Sequence, residues 1–176
     1  KGIELIPNIY TAAGNFAEGV APVRDTLGLW GFIDTTGQTV IDFTLQDARP
    51  FSEGIACCME DSLWGFLGHD GKFLFKPIYK DVDRFSEGLC AVIMDSLVWG
   101  YVDKKGKKMV TPAYDIALPF HDGIGLVFEE DDRANLNGKY INSTGYRIDF
   151  MGFIPERERY RIAVLPGTIL PSSKGD

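Results

Sequence analysis

The chain of 176 residues lacks any hydrophobic run close to the about 20 residues that a membrane-spanning helix needs. Apolar residues do not recur at helical spacing over any long stretch, so we expect very little helix. Basic residues are outnumbered by acidic ones, 18 against 25, and the formal net charge is −7. Nucleic acids and anionic membranes bind clustered lysine and arginine, and the composition therefore argues against both as partners.

The sequence motifs of common enzyme and cofactor sites are also missing. There is no G-x-S-x-G phrase, no G-x-G-x-x-G before a helical pattern and no D-x-D-x-D-G calcium loop. The two histidines, His69 and His121, fall in a turn and at a chain corner, without a nucleophile phrase that would give them catalytic work. We therefore predict no catalytic, cofactor-binding or metal-binding residue, and a protein that is not an enzyme.

Cysteine is scarce, with only Cys57, Cys58 and Cys90. An odd number without C-x-x-C spacing argues against a disulfide framework and against a zinc site. We expect three small core side chains on neighbouring strands. Unpaired thiols favour a reducing compartment, whereas the start at Lys1 rather than Met favours export or a trimmed chain, so these patterns leave the localisation open.

What the sequence contains in abundance is an internal repeat of 34 or 35 residues. A phrase of the form Phe-Ser-Glu-Gly opens each unit, with its first residue at Phe16, Phe51, Phe85 and Phe120; it is varied to Phe-Ala-Glu-Gly in the first unit and to Phe-His-Asp-Gly in the last. A Trp-Gly pair follows, with the indole at Trp30, Trp64 and Trp99. A turn glycine comes next, at Gly37, Gly71, Gly106 and Gly145. In the last unit Gly138 replaces the tryptophan and a polar loop is inserted, as expected of a terminal repeat.

The sequence pattern of each unit predicts about three short antiparallel strands. The first follows the Glu-Gly pair, the second contains Trp-Gly, and the third follows the turn glycine. On the second strand the tryptophan and the aromatic two residues later share one face, while the intervening glycine leaves room for a neighbouring backbone or ring. The residues before the next Phe predict an irregular crossing. We predict an all-β, open solenoid-like array with inter-unit aromatic cores; a small propeller-like ring is the alternative.

The repeat also divides the chain into segments. We predict that residues 1–15 are the tail of a partial preceding unit and that residues 151–176 form a cap strand followed by a loose tail. The repeat units between them are 16–50, 51–84, 85–119 and a degenerate 120–150.

In the last segment apolar and basic residues alternate, which indicates a half-buried strand. We expect the apolar side chains to pack onto the last unit and the arginines to face solvent or the acidic loop at 129–132. The residues concerned are Phe153, Tyr160, Ile162 and Val164, with Arg159 and Arg161 on the other face.

An acidic residue occupies the same place in every unit, at Glu18, Glu53, Glu87 and Asp122. Such a ladder could bind a cation or supply paired acids for glycoside hydrolysis. Repetition favours a structural role, because catalysis needs one constellation rather than one acid at each corner. We predict that each acid accepts hydrogen bonds from turn N–H groups. We likewise predict that the recurring tryptophans are core residues rather than sugar-stacking platforms.

These motifs resemble the WG-repeat family, named for its Trp-Gly pair. The family's Pro-x-Tyr element is matched at residues 77–79 and 112–114 but is lost at 43–45. The resemblance covers roughly residues 5–150. It implies a bacterial origin and a non-catalytic module for protein interaction or scaffolding, with another protein as partner. The alternatives are a bacterial envelope or surface glycan-binding module, which would need aromatics exposed in a row, and, in third place, a hydrolase.

Overall fold

The computed structural model describes residue 6 and residues 9–148, and this part of the chain contains strands but no helix. The strands are β1 (Ala12–Ala13), β2 (Val20–Arg24), β3 (Trp30–Asp34), β4 (Thr39–Leu45), β5 (Asp47–Ala48), β6 (Ile55–Glu60), β7 (Leu63–Gly68), β8 (Asp81–Ser86), β9 (Leu89–Ile93), β10 (Trp99–Asp103), β11 (Lys108–Tyr114), β12 (Ile116–Ala117), β13 (Gly125–Glu130) and β14 (Leu136–Ile141). The prediction of an all-β chain is confirmed. The described residues include no helix long and apolar enough to cross a membrane.

The strands form four small antiparallel sheets in chain order. Sheet 1 is β1-β2-β3-β4, sheet 2 is β5-β6-β7, sheet 3 is β8-β9-β10-β11, and sheet 4 is β12-β13-β14. In sheets 2 and 4 isolated bridges, such as Leu67 with Phe73 and Ile141 with Arg147, take the place of a fourth strand. Contacts between sheets join successive sheets, so the predicted array of tandem β units is confirmed.

Every sheet begins with a strand where the sequence predicted an irregular crossing. In sheet 2 this strand is β5, which pairs Asp47 with Met59 and Ala48 with Cys58. Three of the four opening strands contain two residues. Two residues are too few to show the alternation by which strands are recognised, which explains why the sequence pattern missed them.

Three hydrophobic cores fill the spaces between successive sheets. In each core the Phe that opens a unit packs edge-on against the aromatic that follows Trp-Gly in the preceding unit. The paired rings, with their centroid distances, are Phe32 and Phe51 at 5.1 Å, Phe66 and Phe85 at 4.7 Å, and Tyr101 and Phe120 at 4.9 Å. Edge-to-face aromatic pairs stabilise by about 0.5–1.5 kcal/mol beyond their buried area. The inter-unit aromatic core that the repeat predicted is therefore confirmed.

The Trp-Gly pair serves two packing needs. Trp64 is buried in the core between sheets 2 and 3, while Trp30 and Trp99 are half-buried at the margins of the other two cores. A Cβ on Gly31 or Gly100 would lie 2.7 Å from a carbonyl oxygen of the neighbouring strand. The glycine therefore admits a close backbone, as the sequence predicted.

The two ends of the chain fall largely outside the described residues. Phe153, Tyr160, Ile162 and Val164, with Arg159 and Arg161, lie outside them, so the cap strand stays a prediction, as do the unit boundaries. Ile6 is described, and its side chain would lie 3.5 Å from a Cβ on Gly37. Ile41 stands 3.6 Å from the equivalent point on Gly71, one repeat later.

Candidate functional site

The antiparallel strands place two kinds of turn on opposite edges of the array. One edge, which we call the corner edge, contains the Glu-Gly turns and the turns that follow the Trp-Gly strand of each unit or its equivalent, at 34–37, 68–71, 103–106 and 142–145. The opposite edge, which we call the tip edge, contains the hairpin tips at 25–29, 61–62, 94–98 and 131–135. Because an equivalent pair of aromatic rings packs between each sheet and the next, the equivalent turns of successive units follow one another along an edge.

The Glu-Gly turns of the corner edge adopt an unusual backbone. The acidic residue has a positive φ in every unit, at Glu18 (53°), Glu53 (55°), Glu87 (53°) and Asp122 (52°), and the glycine after it does too. Two residues with positive φ form a type I′ hairpin turn. Non-glycine residues in this region are uncommon, so each acid must be held there by other contacts.

Those contacts come from the next unit. The carboxylate of Glu18 accepts a hydrogen bond from the backbone N–H of Gly54 at 3.1 Å. Glu53 accepts one from Gly88 at 2.9 Å, and Glu87 accepts one from Gly123 at 2.8 Å. Glu18, Glu53 and Glu87 thus accept hydrogen bonds from turn N–H groups, as predicted, and in each case the donor belongs to the next unit. The glycine N–H is available because the turn closes through the residues on either side, as Ser52 and Ile55 do.

Two further groups reinforce the corners. The hydroxyl of Ser52 donates to the carbonyl of Phe85 at 2.8 Å, and that of Ser86 donates to Phe120 at 2.6 Å. These bonds again join one unit to the next. The corresponding place is Ala17 in the first unit and His121 in the last, so the serine bond belongs to the two inner units.

A nitrogen-bearing side chain from the turn after the Trp-Gly strand of the next unit completes the first two corners. His69 Nε2 lies 2.9 Å from a carboxylate oxygen of Glu18, and Lys104 Nζ lies 3.2 Å from one of Glu53. The hydrogen bond from His69 is the main reason that the pKa of Glu18 lies below its usual value. The His69 ring also stacks on Phe51 with centroids 3.9 Å apart. His69 is thus part of the corner rather than a free base.

The third corner differs because Ser143 occupies the place of His69 and Lys104. Here ligand atoms of Glu87, His121 and Asp122 lie within 4.8 Å of one another. All three residues are exposed, and exposed acidic groups commonly lie this close without an ion. His121 was predicted to be a solvated corner residue, and its side chain is 82% exposed.

The tip edge follows a different pattern. Each hairpin tip begins with an aspartate, at Asp25, Asp61, Asp95 and Asp131. Asp25 accepts hydrogen bonds from the N–H groups of Leu27 and Leu29. Asp131 accepts the equivalent two bonds, from the N–H groups of Arg133 and Asn135. The other tip bonds run to the segment that enters the same sheet, such as Lys80 Nζ to the carbonyl of Asp95. Across the described residues, the hydrogen bonds of the tips thus stay within one sheet.

Two leucines project from these tips. Leu27 and Leu97 are each 84% exposed, and neither belongs to a core cluster. The four hairpins also carry acidic residues, at Asp25, Glu60, Asp61, Asp95, Glu129, Glu130, Asp131 and Asp132. The sequence analysis assigned no binding residue. An apolar residue inside a polar hairpin is the signal by which Leu27 and Leu97 could have been found.

The side chains that a glycan-binding module or a hydrolase would use are not arranged as those functions require in the described part of the chain. Among the described residues the exposed large aromatics are Phe16 and Tyr146, which lie in the first and last units and form no row. The guanidinium of Arg49 covers the ring of Trp64 at 4.8 Å.

The three thiols are free and buried, as predicted, and burial raises the pKa of Cys58 and of Cys90. A raised pKa keeps a thiol in its unreactive form.

Comparison with known proteins gives one family. The model of the WG containing repeat matches residues 1–25, 30–63, 64–97 and 99–131, which is more than half of the chain. No curated protein matches the sequence. Among solved structures the chain is similar to the WD40 β-propeller domain of Doa1, with 10% sequence identity and a TM-score of 0.42. That match covers 74% of this chain and 50% of the other, so the chain spans about half of that structure's length.

Proposed function

Because the chain belongs to the family of WG-containing repeats, we propose that it is a non-catalytic repeat module that binds or scaffolds another protein. The observation that carries the proposal is the contrast between the two edges. The polar groups of the corner edge hold one unit to the next, whereas the tip edge presents Leu27 and Leu97 to solvent without any packing role.

The side chains that commonly carry catalysis have structural positions here. His69 is engaged by Glu18 and Phe51, and the thiols of Cys57, Cys58 and Cys90 are buried in the inter-sheet cores. The repeated acids are bound to glycine N–H groups. The hydroxyl of Thr36 donates to the carboxylate of Asp34 at 2.6 Å, but that carboxylate also accepts the backbone N–H groups of Thr36 and Gln38, as a turn-forming residue does.

A protein partner agrees best with the surface chemistry. The net charge of −7 disfavours nucleic acid, whose binding depends on clustered lysine and arginine. Exposed apolar side chains within a polar rim are typical of protein contact sites. The described aromatics form no exposed platform of the kind that would stack on a sugar.

Site-specific photocross-linking tests the proposal. A benzophenone amino acid replaces Thr26 in the first tip, and a matched control replaces Thr35 on the corner edge of the same sheet. In extracts of the source cells, we expect the tip variant to form a discrete adduct with one protein, and the corner variant to form none. Adducts of equal yield and pattern from both positions, or tight binding on a glycan array without any protein adduct, would contradict it.

A further inference from the structure

We propose that the tip edge of sheets 1 to 3 is a docking surface for an extended, basic segment of a partner protein that carries apolar side chains. The inference rests on the proposed function and specifies its partner. It is argued from the two exposed leucines, from the charge around them and from the spacing of the sheets.

The leucines are not needed to close their hairpins. In sheet 2 the equivalent hairpin closes through Asp61 and Ser62, both with positive φ (50° and 64°). In sheet 1 the turn is held by Asp25, whose carboxylate accepts bonds from two backbone N–H groups rather than from the Leu27 side chain. Leu27 and Leu97, each 84% exposed, therefore lie in two separate tips without contributing to the core or to the turn.

The charge of this edge is mainly acidic. The hairpins at 24–30, 60–63 and 93–99 contain Asp25, Glu60, Asp61 and Asp95. Two basic side chains also lie at this edge, and both are engaged by backbone carbonyls: Arg24 donates to Gly28 at 3.0 Å and Lys80 donates to Asp95 at 2.6 Å. A surface with this potential attracts lysine and arginine and repels acidic segments.

The corner edge is acidic too, with Asp34, Asp70 and Asp103 in its turns, but a larger share of its acidic charge is balanced by basic groups. Glu18 and Glu53 are paired with His69 and Lys104. Lysines also lie in or directly after the turns of sheets 2 and 3, at Lys72, Lys105 and Lys107. A basic segment would therefore be steered to the tip edge rather than to the corner edge.

The spacing of the sheets sets the pattern of the partner. Sheets that pack face to face lie about 10 Å apart, so Leu27 in sheet 1 and Leu97 in sheet 3 stand on the order of 20 Å apart. An extended chain advances about 3.3 Å per residue, and about six residues span that distance. The matching segment has two apolar side chains about six positions apart, with basic residues between them to face Glu60 and Asp61.

Fluorescence anisotropy with three labelled 12-residue peptides tests the inference on the full chain. The first peptide has two leucines six positions apart with lysines between them; the second has glutamates in place of the lysines; the third has serines in place of the leucines. We expect the first peptide to bind at least about tenfold tighter than either of the others at moderate salt, since both charge and apolar contact contribute.

Matched variants assign the surface. Leu27→Ser with Leu97→Ser should weaken the first peptide about tenfold or more, and Glu60→Gln with Asp61→Asn should weaken it and flatten its salt dependence. The controls are Leu74→Ser, an exposed leucine outside the tips, and Lys105→Ser on the corner edge, which should bind within about twofold of the unmodified chain. Circular dichroism and thermal melting confirm that each variant is folded.

Two results would overturn the inference. One is equal binding of the peptide without leucines, which means attraction by charge alone; the other is unchanged binding by the double leucine variant. Either result leaves the proposed function standing if a tip cross-link to a cellular protein is still formed. Loss of that cross-link, with peptide binding retained, would instead count against the proposed function.

Discussion

The corner edge and the tip edge are built from the same four units, but they differ in what repeats. At the corner edge the same acid, in the same positive-φ conformation, binds the glycine N–H of the next unit three times in succession. At the tip edge only the first aspartate recurs, while the residues after it change from Thr26-Leu27-Gly28 to Ser62 and to Ser96-Leu97.

The difference separates two demands on a repeat protein. Stacking requires the same contact at every junction, so positions that hold units together recur with the period of the repeat. Recognition needs a particular surface once, so positions free of stacking can diverge. By this criterion Glu53 and Glu87 contribute to stability, and Leu27 and Leu97 belong to the proposed binding surface.

The largest effect is expected in the interior that both edges share. Trp64→Ala should lower the free energy of unfolding by about 3–5 kcal/mol, because it truncates a buried aromatic in the core between sheets 2 and 3. The matched control is Leu97→Ala at the tip edge, where a change within about 0.5 kcal/mol is expected. Urea unfolding followed by fluorescence and by circular dichroism measures both. A Trp64 variant that melts normally but loses its partner would move this ring from the core to the binding surface.

A second test compares the inner sheets with the last one. Phe32, Phe66 and Tyr101 are fully buried by the unit that follows them, whereas Tyr140 in sheet 4 is only half-buried. We expect residues after 155 to cover that face, so deletion of 156–176 should lower the melting temperature by several degrees or cause association. Deletion of 171–176 is the control and should do neither. Unchanged melting and a monodisperse profile in light scattering after the longer deletion would make the segment a tether.

The period of the repeat and the strand patterns were enough to predict most of the fold. They predicted the strands around Glu-Gly and Trp-Gly, the glycine that admits a close backbone, and the aromatic cores between units. Strand β5 was missed because a pair of residues has no periodicity. The unit that supplies the donor to Glu53 could not be predicted, because the repeat shows that a contact recurs but not which neighbour supplies it. The tip site was missed because exposure of Leu97 depends on the hairpin geometry.

Acid should weaken the first corner in a defined pH range. The pKa of Glu18 is lowered, chiefly by the hydrogen bond from His69. A depressed carboxylate pKa contributes stability above the unfolded value of 4.5, and this contribution is lost as the pH falls through the folded pKa. Melting temperatures from pH 3 to 7 should therefore fall less steeply below about pH 4.5 for Glu18→Gln than for the unmodified chain. The tip variant Glu60→Gln serves as the control, and an identical acid profile for Glu18→Gln would contradict the assignment.

The smallest expected effect concerns two buried phenols. The hydroxyl of Tyr101 donates to the carbonyl of Leu118 at 2.7 Å, whereas the buried hydroxyl of Tyr79 has no hydrogen-bond partner among the described residues. Tyr101→Phe should cost about 0.5–1.5 kcal/mol, and Tyr79→Phe should be neutral or stabilising by up to about 1 kcal/mol. Paired urea titrations measure the difference. A clear loss in Tyr79→Phe would mean that this hydroxyl is bonded in solution.

The most direct test of the division between the edges is one experiment on two double variants. Glu53→Gln with Glu87→Gln alters the corner edge, and Leu27→Ser with Leu97→Ser alters the tip edge. Both are measured for unfolding free energy and for binding of the lysine–leucine peptide under conditions where they are folded. We expect the corner variant to lose about 1–2 kcal/mol of stability, since two charge-assisted hydrogen bonds become neutral ones and the ion pair of Glu53 with Lys104 is lost, and still to bind within about twofold. The tip variant should keep its stability within about 0.5 kcal/mol and bind about tenfold more weakly. The reverse pattern, or equal losses of stability and binding in both variants, would contradict the division.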